Sequence, residues 1–167
     1  MRLDLRHLIA LVLVLLAAAA VWWIWFRPET DEARIRRLFG ELAESLCRDP
    51  SESTPTGLLK SRSVAETFTD PVEVTLDEYA TGKLTQEQVL SHAMQYRAFL
   101  ETANVSVSDL RITVTAPDRA LCTFAGRFVG RSKSGASHRE VRDLSAELVK
   151  VNNEWKIKSI QFEKVLH

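Results

Sequence analysis

Residues 147–162 read ELVKVNNEWKIKSIQF, and this stretch carries the strongest fold signal in the chain. Apolar and polar residues alternate on both sides of the polar turn at Asn152 and Asn153, which is typical of two antiparallel strands joined in a hairpin. In the second strand, four large apolar residues fall on two opposite parities: Trp155 and Ile157, then Ile160 and Phe162. One extra residue near Lys158 and Ser159 would return all four to one face. We therefore predict a β-bulge that bends the final strand.

Upstream of this hairpin the pattern is helical first and strand-like later. Helical periodicity begins after Thr30, a favourable N-cap, and a short helix is predicted over 58–68, after a polar loop at 49–57. Thr85 and Gln88 fit a capping box that opens a third helix ending near Glu101. Strand-like alternation occupies five runs: 72–76, 105–116, 119–131, 138–151 and 154–165.

This order of elements, the "DPVEV" stretch at 70–74 and the closing segment at 147–162 resemble the nuclear transport factor 2-like (cystatin-like, α+β cone) superfamily. The resemblance covers about residues 30–166. It implies an α+β fold in which helices pack on a curved antiparallel sheet, around either a pocket or a filled core. The superfamily holds ketosteroid isomerases, polyketide cyclases, dehydratases and non-catalytic interaction domains, so the resemblance leaves the function open.

A membrane anchor is predicted ahead of this domain. Leu8 to Phe26 is an uncharged run of 19 residues without proline, about 28 Å long as a helix at ~1.5 Å per residue. A cleaved signal peptide is the alternative, with a small-residue site within 17–20. Four aromatic residues follow those alanines at once, as expected at a lipid–water boundary: Trp22, Trp23, Trp25 and Phe26. We favour the uncleaved anchor.

The predicted organisation is a tail (1–7), one transmembrane anchor (8–26), a hinge (27–30) and the nuclear transport factor 2-like domain (31–167). Arginines flank both sides of the anchor, so the positive-inside rule does not decide the orientation. The short tail most resembles a bacterial signal anchor. We therefore expect a single-pass protein of the bacterial inner membrane, with its domain in the periplasm and close to the membrane surface.

Charge is balanced overall but separated along the chain. The 22 basic and 22 acidic residues argue against a nucleic-acid partner. Residues 27–80 hold 7 basic and 12 acidic side chains, a net of −5, whereas residues 111–167 hold 11 and 6, a net of +5. Such asymmetry suits docking to a protein partner or to a second copy, although ordinary solvation also produces it. One hairpin concentrates the cations of a candidate interaction surface: Arg127, Arg131, Lys133, Arg139 and Arg142.

Catalytic candidates are weak. The resemblance implies a carboxylate or histidine base in an apolar cavity, with a tyrosine or protonated aspartate as hydrogen-bond donor. His92 falls off the apolar face of its helix, Tyr96 lies nearer the core, and Asp109 has the neighbours of a surface residue. We assign no catalytic residue and keep these three as weak pocket candidates.

Cofactor and metal signals are also missing from the sequence. Cys47 and Cys122 stand alone, without the spacing that would hold zinc, and no glycine-rich phosphate loop is present. The two thiols are expected to be small buried groups, with a disulfide as the alternative in an oxidising compartment. We expect no cofactor and no metal.

Two function classes remain at this point. The first is a membrane-anchored, non-catalytic interaction or scaffold domain in an envelope-associated assembly, with a protein partner or a second copy of itself. The alternative is a pocket protein, isomerase- or cyclase-like, that binds or transforms a small apolar ligand. A filled interior favours the first class, and an open apolar cavity with one inward acid favours the second.

Overall fold

The structure is a computed structural model that describes residues 29–76 and 81–162, together with positions 14, 16 and 18. The chain separates into residues 1–30 and residues 31–167, and all elements named here belong to the second unit. Its helices are α1 (Asp31–Leu46), α2 (Thr54–Glu66) and α3 (Gln86–Phe99). Its strands are β1 (Phe68–Thr75), β2 (Thr81–Leu84), β3 (Leu100–Ala116), β4 (Arg119–Ser132), β5 (Ser137–Val151) and β6 (Glu154–Phe162).

Local capping signals decide where two of the helices begin. The predicted capping box of α3 is confirmed, because the Gln88 backbone N–H donates to Thr85 Oγ1 at 3.3 Å and the Thr85 N–H to Gln88 Oε1 at 2.9 Å. Helix α2 begins earlier than predicted, inside the stretch assigned to a loop. Ser53 caps it by accepting from the Thr56 N–H, and a proline occupies its first turn.

The sheet is mixed, with strand order β2-β1-β6-β5-β4-β3. Strands β1 and β6 run parallel, whereas the other neighbouring strands pair antiparallel. The predicted wholly antiparallel sheet is therefore wrong at this one pair. Alternation along a strand reports which face is buried and carries no information about the direction of its partner.

Two β-bulges bend the long strands. In β6, Ile157 pairs with Leu148 and Ser159 with Glu147, which leaves Lys158 as the extra residue and confirms the predicted bulge. Strand β3 has three register shifts that the sequence did not reveal, and the one between Ser108 and Arg111 is called the β3 bulge below. Bulges increase local bending and twist, so the sheet curves around the helices.

The core lies between the helices and the inner face of the sheet. The Phe39 ring from α1 meets the Phe124 ring from β4 with centroids 4.8 Å apart. Ile35, Leu148 and Ile157 in the same cluster are fully buried. Side chains therefore pack the centre of the layer between α1 and the sheet.

Most of the predicted anchor lies outside the described residues. Within it, Val14, Leu16 and Ala18 are helical and exposed. Among all positions that the structure describes, no helix combines the length and the apolarity needed to span a bilayer. The anchor, the hinge and the cellular location stay predictions.

Candidate functional site

The three predicted pocket candidates lie in different surroundings. His92 is exposed on α3, and Asp109 is exposed at the β3 bulge, where it adopts φ 53° and lines a groove of about 560 Å³ beside α1. Tyr96 points inward, and its ring lies 6.0 Å from that of Phe128. No hydrogen bond or ion pair among the described residues joins any two of the three.

The Tyr96 hydroxyl is buried and has no hydrogen-bond partner among the described residues. Burial, and secondarily the nearby Cys47 thiol, raise the pKa of this phenol above its usual range. The hydroxyl is therefore protonated at neutral pH, and in this form it can donate one hydrogen bond and also accept one.

Both cysteines are free thiols. Cys122 is buried, and burial raises its pKa to about 11. Cys47 is half-buried, and its Sγ accepts from the Val105 N–H at 3.3 Å. Across the described part of the chain, no cluster of three or more potential ligands is placed to hold a metal ion.

A buried ion cluster that was not predicted from the sequence joins the helices. Arg97 on α3 and Glu52 in the α1–α2 loop form an ion pair at 2.5 Å, with side chains only 7% and 5% exposed. Lys60 Nζ lies 3.0 Å from the other carboxylate oxygen of Glu52. Arg97 also donates to the main-chain oxygens of Ser45 and Cys47. Because its donors are taken by the chain itself, Arg97 holds the loop in place rather than presenting a charge to a ligand.

One weak signal does point to this cluster. Val89, Ala93 and Arg97 are spaced four residues apart and form the buried stripe of α3. A cation on an apolar stripe needs a buried anion as its partner. Its partner Glu52 comes from a polar loop 45 residues away in the sequence, and spacing alone does not connect the two.

The predicted basic hairpin divides between the two faces of the sheet. Arg127 pairs with Val141, Val129 with Arg139, and Arg131 with Ser137, so these residues share the face opposite the core, called the outer face below. Arg142 has the other parity and lies over the Phe162 ring at 5.4 Å while pairing with Glu140 at 2.6 Å. Lys133 lies in the turn, and its backbone N–H donates to the Phe99 carbonyl at 3.1 Å. Three of the five predicted surface cations therefore lie together.

Apolar side chains accompany these cations on the outer face. Leu121 is 53% exposed and Val141 60%. Arg127 and Arg139 make no ion pair with any residue in the described ranges. The outer face thus combines solvent-exposed aliphatic groups with guanidinium groups that are free to bind.

A groove of about 610 Å³ lies at the hairpin end of the outer face. Its lining residues include Arg48, which follows α1, and Arg131 and Arg139 of the hairpin. The Arg48 backbone pairs with Ala103 at the β3 edge, through N–H···O bonds of 2.8 and 3.1 Å. Its Nη1 donates to the Arg97 carbonyl, whereas its buried Nε has no partner among the described residues.

Comparison with known proteins shows the fold. No protein-family model matches the chain, and no curated protein matches it either. A solved NTF2-like protein with a cystatin-like fold from Novosphingobium aromaticivorans superposes with a TM-score of 0.62 at 16% identity, covering 99% of this chain and 92% of that one. The chain has the NTF2-like, cystatin-like fold.

Two further solved structures are similar to this chain in fold. LinA superposes with a TM-score of 0.64 at 16% identity, over 79% of this chain and 84% of its own. The Kfla4162 protein from Kribbella flavida superposes with a TM-score of 0.64 at 18% identity, covering 83% of this chain and 93% of that one. At these identities the similarity extends to the fold alone, so the function has to be argued from the residues of this chain.

Proposed function

We propose that this protein is a membrane-anchored, non-catalytic interaction domain that acts in an envelope-associated assembly, with its domain on the periplasmic side of the inner membrane. The observation that carries the proposal is the contrast between the two faces of the sheet. Helices and packed side chains cover the inner face, with the rings of Phe39 and Phe124 in contact at its centre. The outer face leaves aliphatic and basic side chains exposed together.

The composition of the outer face supports an acidic protein surface as the partner. Exposed Leu121 and Val141 supply apolar area, and Arg127 and Arg139 supply the charge. Arginine beside apolar side chains is enriched in protein interfaces, and complementary charge gives specificity and fast association. The acidic half of a second copy, with its net charge of −5 over residues 27–80, meets the same description.

The predicted hinge determines where this surface works. Four residues, 27–30, separate the predicted anchor from Asp31 at the start of α1. Four extended residues span at most about 14 Å at ~3.5 Å each. A domain held this close samples partners in the same membrane or at its surface, which suits a component of an envelope assembly.

A matched set of charge insertions tests this function in the full-length chain. Leu121→Glu and Val141→Glu place acid on the outer face, and Leu59→Glu, at a position 65% exposed on α2, makes the same change elsewhere. Cross-linking in native membranes, followed by purification in mild detergent, would identify the associated protein. We expect the outer-face variants to lose the cross-linked species while Leu59→Glu retains it. Equal retention by all three variants would contradict the proposal.

One observation favours the alternative, a pocket protein that binds or transforms a small apolar ligand. The buried Tyr96 hydroxyl lacks a partner among the described residues, and a ligand oxygen would supply one. Organic extraction of the purified full-length protein, followed by mass spectrometry, separates the two functions. A small molecule recovered in equimolar amount from the native chain and lost with Tyr96→Phe would support the pocket protein.

A further inference from the structure

We propose that the groove between α1 and the edge of β3 is a docking site for an extended, basic peptide of a partner protein, which adds to the sheet as a further strand. Strand β3 ends the strand order of the described sheet, so one of its edges is not covered by another of these strands. The groove along this edge has a volume of about 560 Å³, within the ~300–1,000 Å³ typical of binding pockets. It lies at the sheet edge and goes beyond the outer-face interaction proposed above.

Hydrogen bonds show which main-chain groups of β3 point to this edge. The Ala103 N–H and carbonyl bond to the main chain of Arg48. The Val105 N–H donates to Cys47 Sγ at 3.3 Å, and the thiol donates to the Val105 carbonyl at 3.5 Å. Main-chain groups alternate in direction along a strand, so those of Val107 point to the same edge. The chain itself satisfies this edge at two positions, and within the described residues the next position is open to a partner strand.

The α1 side of the groove allows a close approach by another chain. Gly40 lies in the middle of α1 and lines the groove. A Cβ added at Gly40 would meet no atom within 4 Å, so packing among the described residues does not require a glycine there. Glycine inside a helix is destabilising relative to alanine. A peptide backbone passing over Gly40 would account for its presence.

Apolar side chains of both elements line the same groove. Phe39 and Ala43 come from α1, and Val105, Val107 and Leu110 come from β3. In strand addition, main-chain hydrogen bonds supply affinity and contacts to alternate side chains supply specificity. Because alternate residues of a strand point to one face, we expect apolar residues at every second position of the peptide.

The charged residues of the groove favour a basic peptide. Glu44 on α1 and Asp109 at the β3 bulge line the groove as exposed carboxylates, and neither makes an ion pair with another described residue. Arg36 is the basic residue of the same lining. Two acids against one base leave a net negative charge, and complementary charge selects the partner.

The test uses the full-length chain in uncharged detergent micelles and a capped hexapeptide of alternating valine and lysine as the probe. Nuclear magnetic resonance of the Val107 amide reports binding at the edge. We expect a saturable shift and slower hydrogen exchange of this N–H. The same peptide with every backbone nitrogen methylated keeps the side chains and loses the main-chain donors, and we expect it not to bind. A peptide of alternating valine and glutamate should bind about tenfold more weakly.

Each control has an outcome that overturns the proposal. Equal binding of the methylated peptide would exclude strand addition, and equal binding of the glutamate peptide would exclude selection by the carboxylates. No shift of the Val107 amide with the lysine peptide would overturn the site. Val107 shifts that depend on protein concentration without any peptide would place a second copy of the chain in the groove instead.

A matched pair of substitutions at Gly40 locates the site. Gly40→Ala adds only the Cβ, which has open space, whereas Gly40→Leu projects into the groove. Both replace glycine by a better helix former, so both variants should unfold at the urea concentration of the parent or above it. We expect Gly40→Leu to weaken binding of the lysine peptide about tenfold and Gly40→Ala less than about threefold. Parental binding by Gly40→Leu would overturn the proposal.

The outer-face variants distinguish this site from the proposed interaction surface. Leu121 and Val141 do not line the groove, so Leu121→Glu and Val141→Glu should leave binding of the lysine peptide unchanged even where they abolish the cross-linked species. Loss of peptide binding in these variants would show that the peptide binds the outer face, and the groove would then not be a docking site.

Discussion

At the residue scale, the buried guanidinium of Arg97 is the most consequential single group. Its Glu52 partner is 5% exposed, so Arg97→Met would leave a buried carboxylate with only Lys60 nearby. Breaking a buried ion pair costs about 3–5 kcal/mol of stability. We expect a loss of that size in urea unfolding of a truncated chain beginning at Glu29.

The control for Arg97 is an ion pair on the surface. Arg37 lies 3.7 Å from Glu41, with side chains 59% and 66% exposed. Arg37→Met should therefore change the free energy of unfolding by less than about 1 kcal/mol. Similar losses for Arg97→Met and Arg37→Met would show that the cluster is not desolvated.

Trp155 ties the last strand to the first helix. The residue is 6% exposed, and its indole Nε1 donates to Asp31 Oδ1 at 3.0 Å. Trp155→Ala removes a large buried ring and should cost about 3–5 kcal/mol in the same unfolding measurement. A loss below about 1 kcal/mol would mean that the ring is not part of the core.

The same contact gives the stability a dependence on pH. Hydrogen bonds from Lys150 and then Trp155 lower the pKa of Asp31 in the folded state. The contribution of the Asp31 carboxylate to folding stability is therefore fully present above the pKa of the unfolded state, about 3.9. This stability is lost as the pH falls through the lower pKa of the folded state. The Asp31 side chain is 32% exposed, so the effect is modest. The stability difference between the parent and Asp31→Asn should shrink as urea unfolding is repeated from pH 6 down to pH 2.5. A constant difference would rule out this linkage.

At the scale of elements, the bulge in β6 sets which side chains face the core. Deleting Lys158 would remove the extra residue, and plain alternation would then keep Ile160 on the inner face while the strand loses its bulge. Lys158→Ala keeps the register and removes only an ion pair to Glu147 at 3.2 Å, with side chains 45% and 31% exposed. We expect less than about 1 kcal/mol for the substitution, and for the deletion a loss below the ~1.5–3 kcal/mol that turning Ile160 to the outer face would cost. A loss of that larger size for the deletion would place the bulge elsewhere.

Elements with a local chemical signal were predictable from sequence. The capping box at Thr85 needs only four consecutive residues, and the β6 bulge shows as a break in parity among large apolar side chains. In β3 the inward residues Val107, Leu110 and Ile112 also change parity, but polar neighbours hide the break. Strand β2 is four residues long with one half-buried residue, which is too short to display any period.

Elements that depend on distant partners were not predictable. The parallel pairing of β1 with β6 joins Phe68 to Ile157 across most of the domain, and alternation does not encode it. The same holds for the site. The cations of the hairpin were visible as a cluster, whereas the pairing of the Arg48 backbone with Ala103, which brings the segment after α1 to the sheet edge beside the hairpin, was not.

At the scale of the whole molecule, the charge separation along the sequence becomes a separation between the helices and the later strands of the sheet. The net charge of +5 over residues 111–167 belongs to the end of β3, to β4, β5 and β6, and to residues 163–167, whereas the net of −5 over 27–80 includes α1 and α2. Of the basic side chains, Arg127, Arg131 and Arg139 lie on the outer face, turned away from the core. A partner approaching the outer face therefore meets the cations first, and an acidic or phosphorylated one is favoured.

Whether the domain meets such a partner at a membrane depends on residues 8–26. If these nineteen uncharged residues are helical, the helix would be about 28 Å long, close to the ~30 Å hydrocarbon core of a bilayer. Cleavage within 17–20 would leave a mature chain whose first residues are Val21 and a run of exposed aromatic rings, which water solvates poorly. We therefore expect the full-length chain to stay in the membrane fraction after high-salt and alkaline washing, with its intact mass retained. A chain beginning at Glu29 is the control and should be released by the same washes. A mature protein that starts near Val21 in a soluble extract would show that the segment is a signal peptide, and the partner would then be sought away from the membrane.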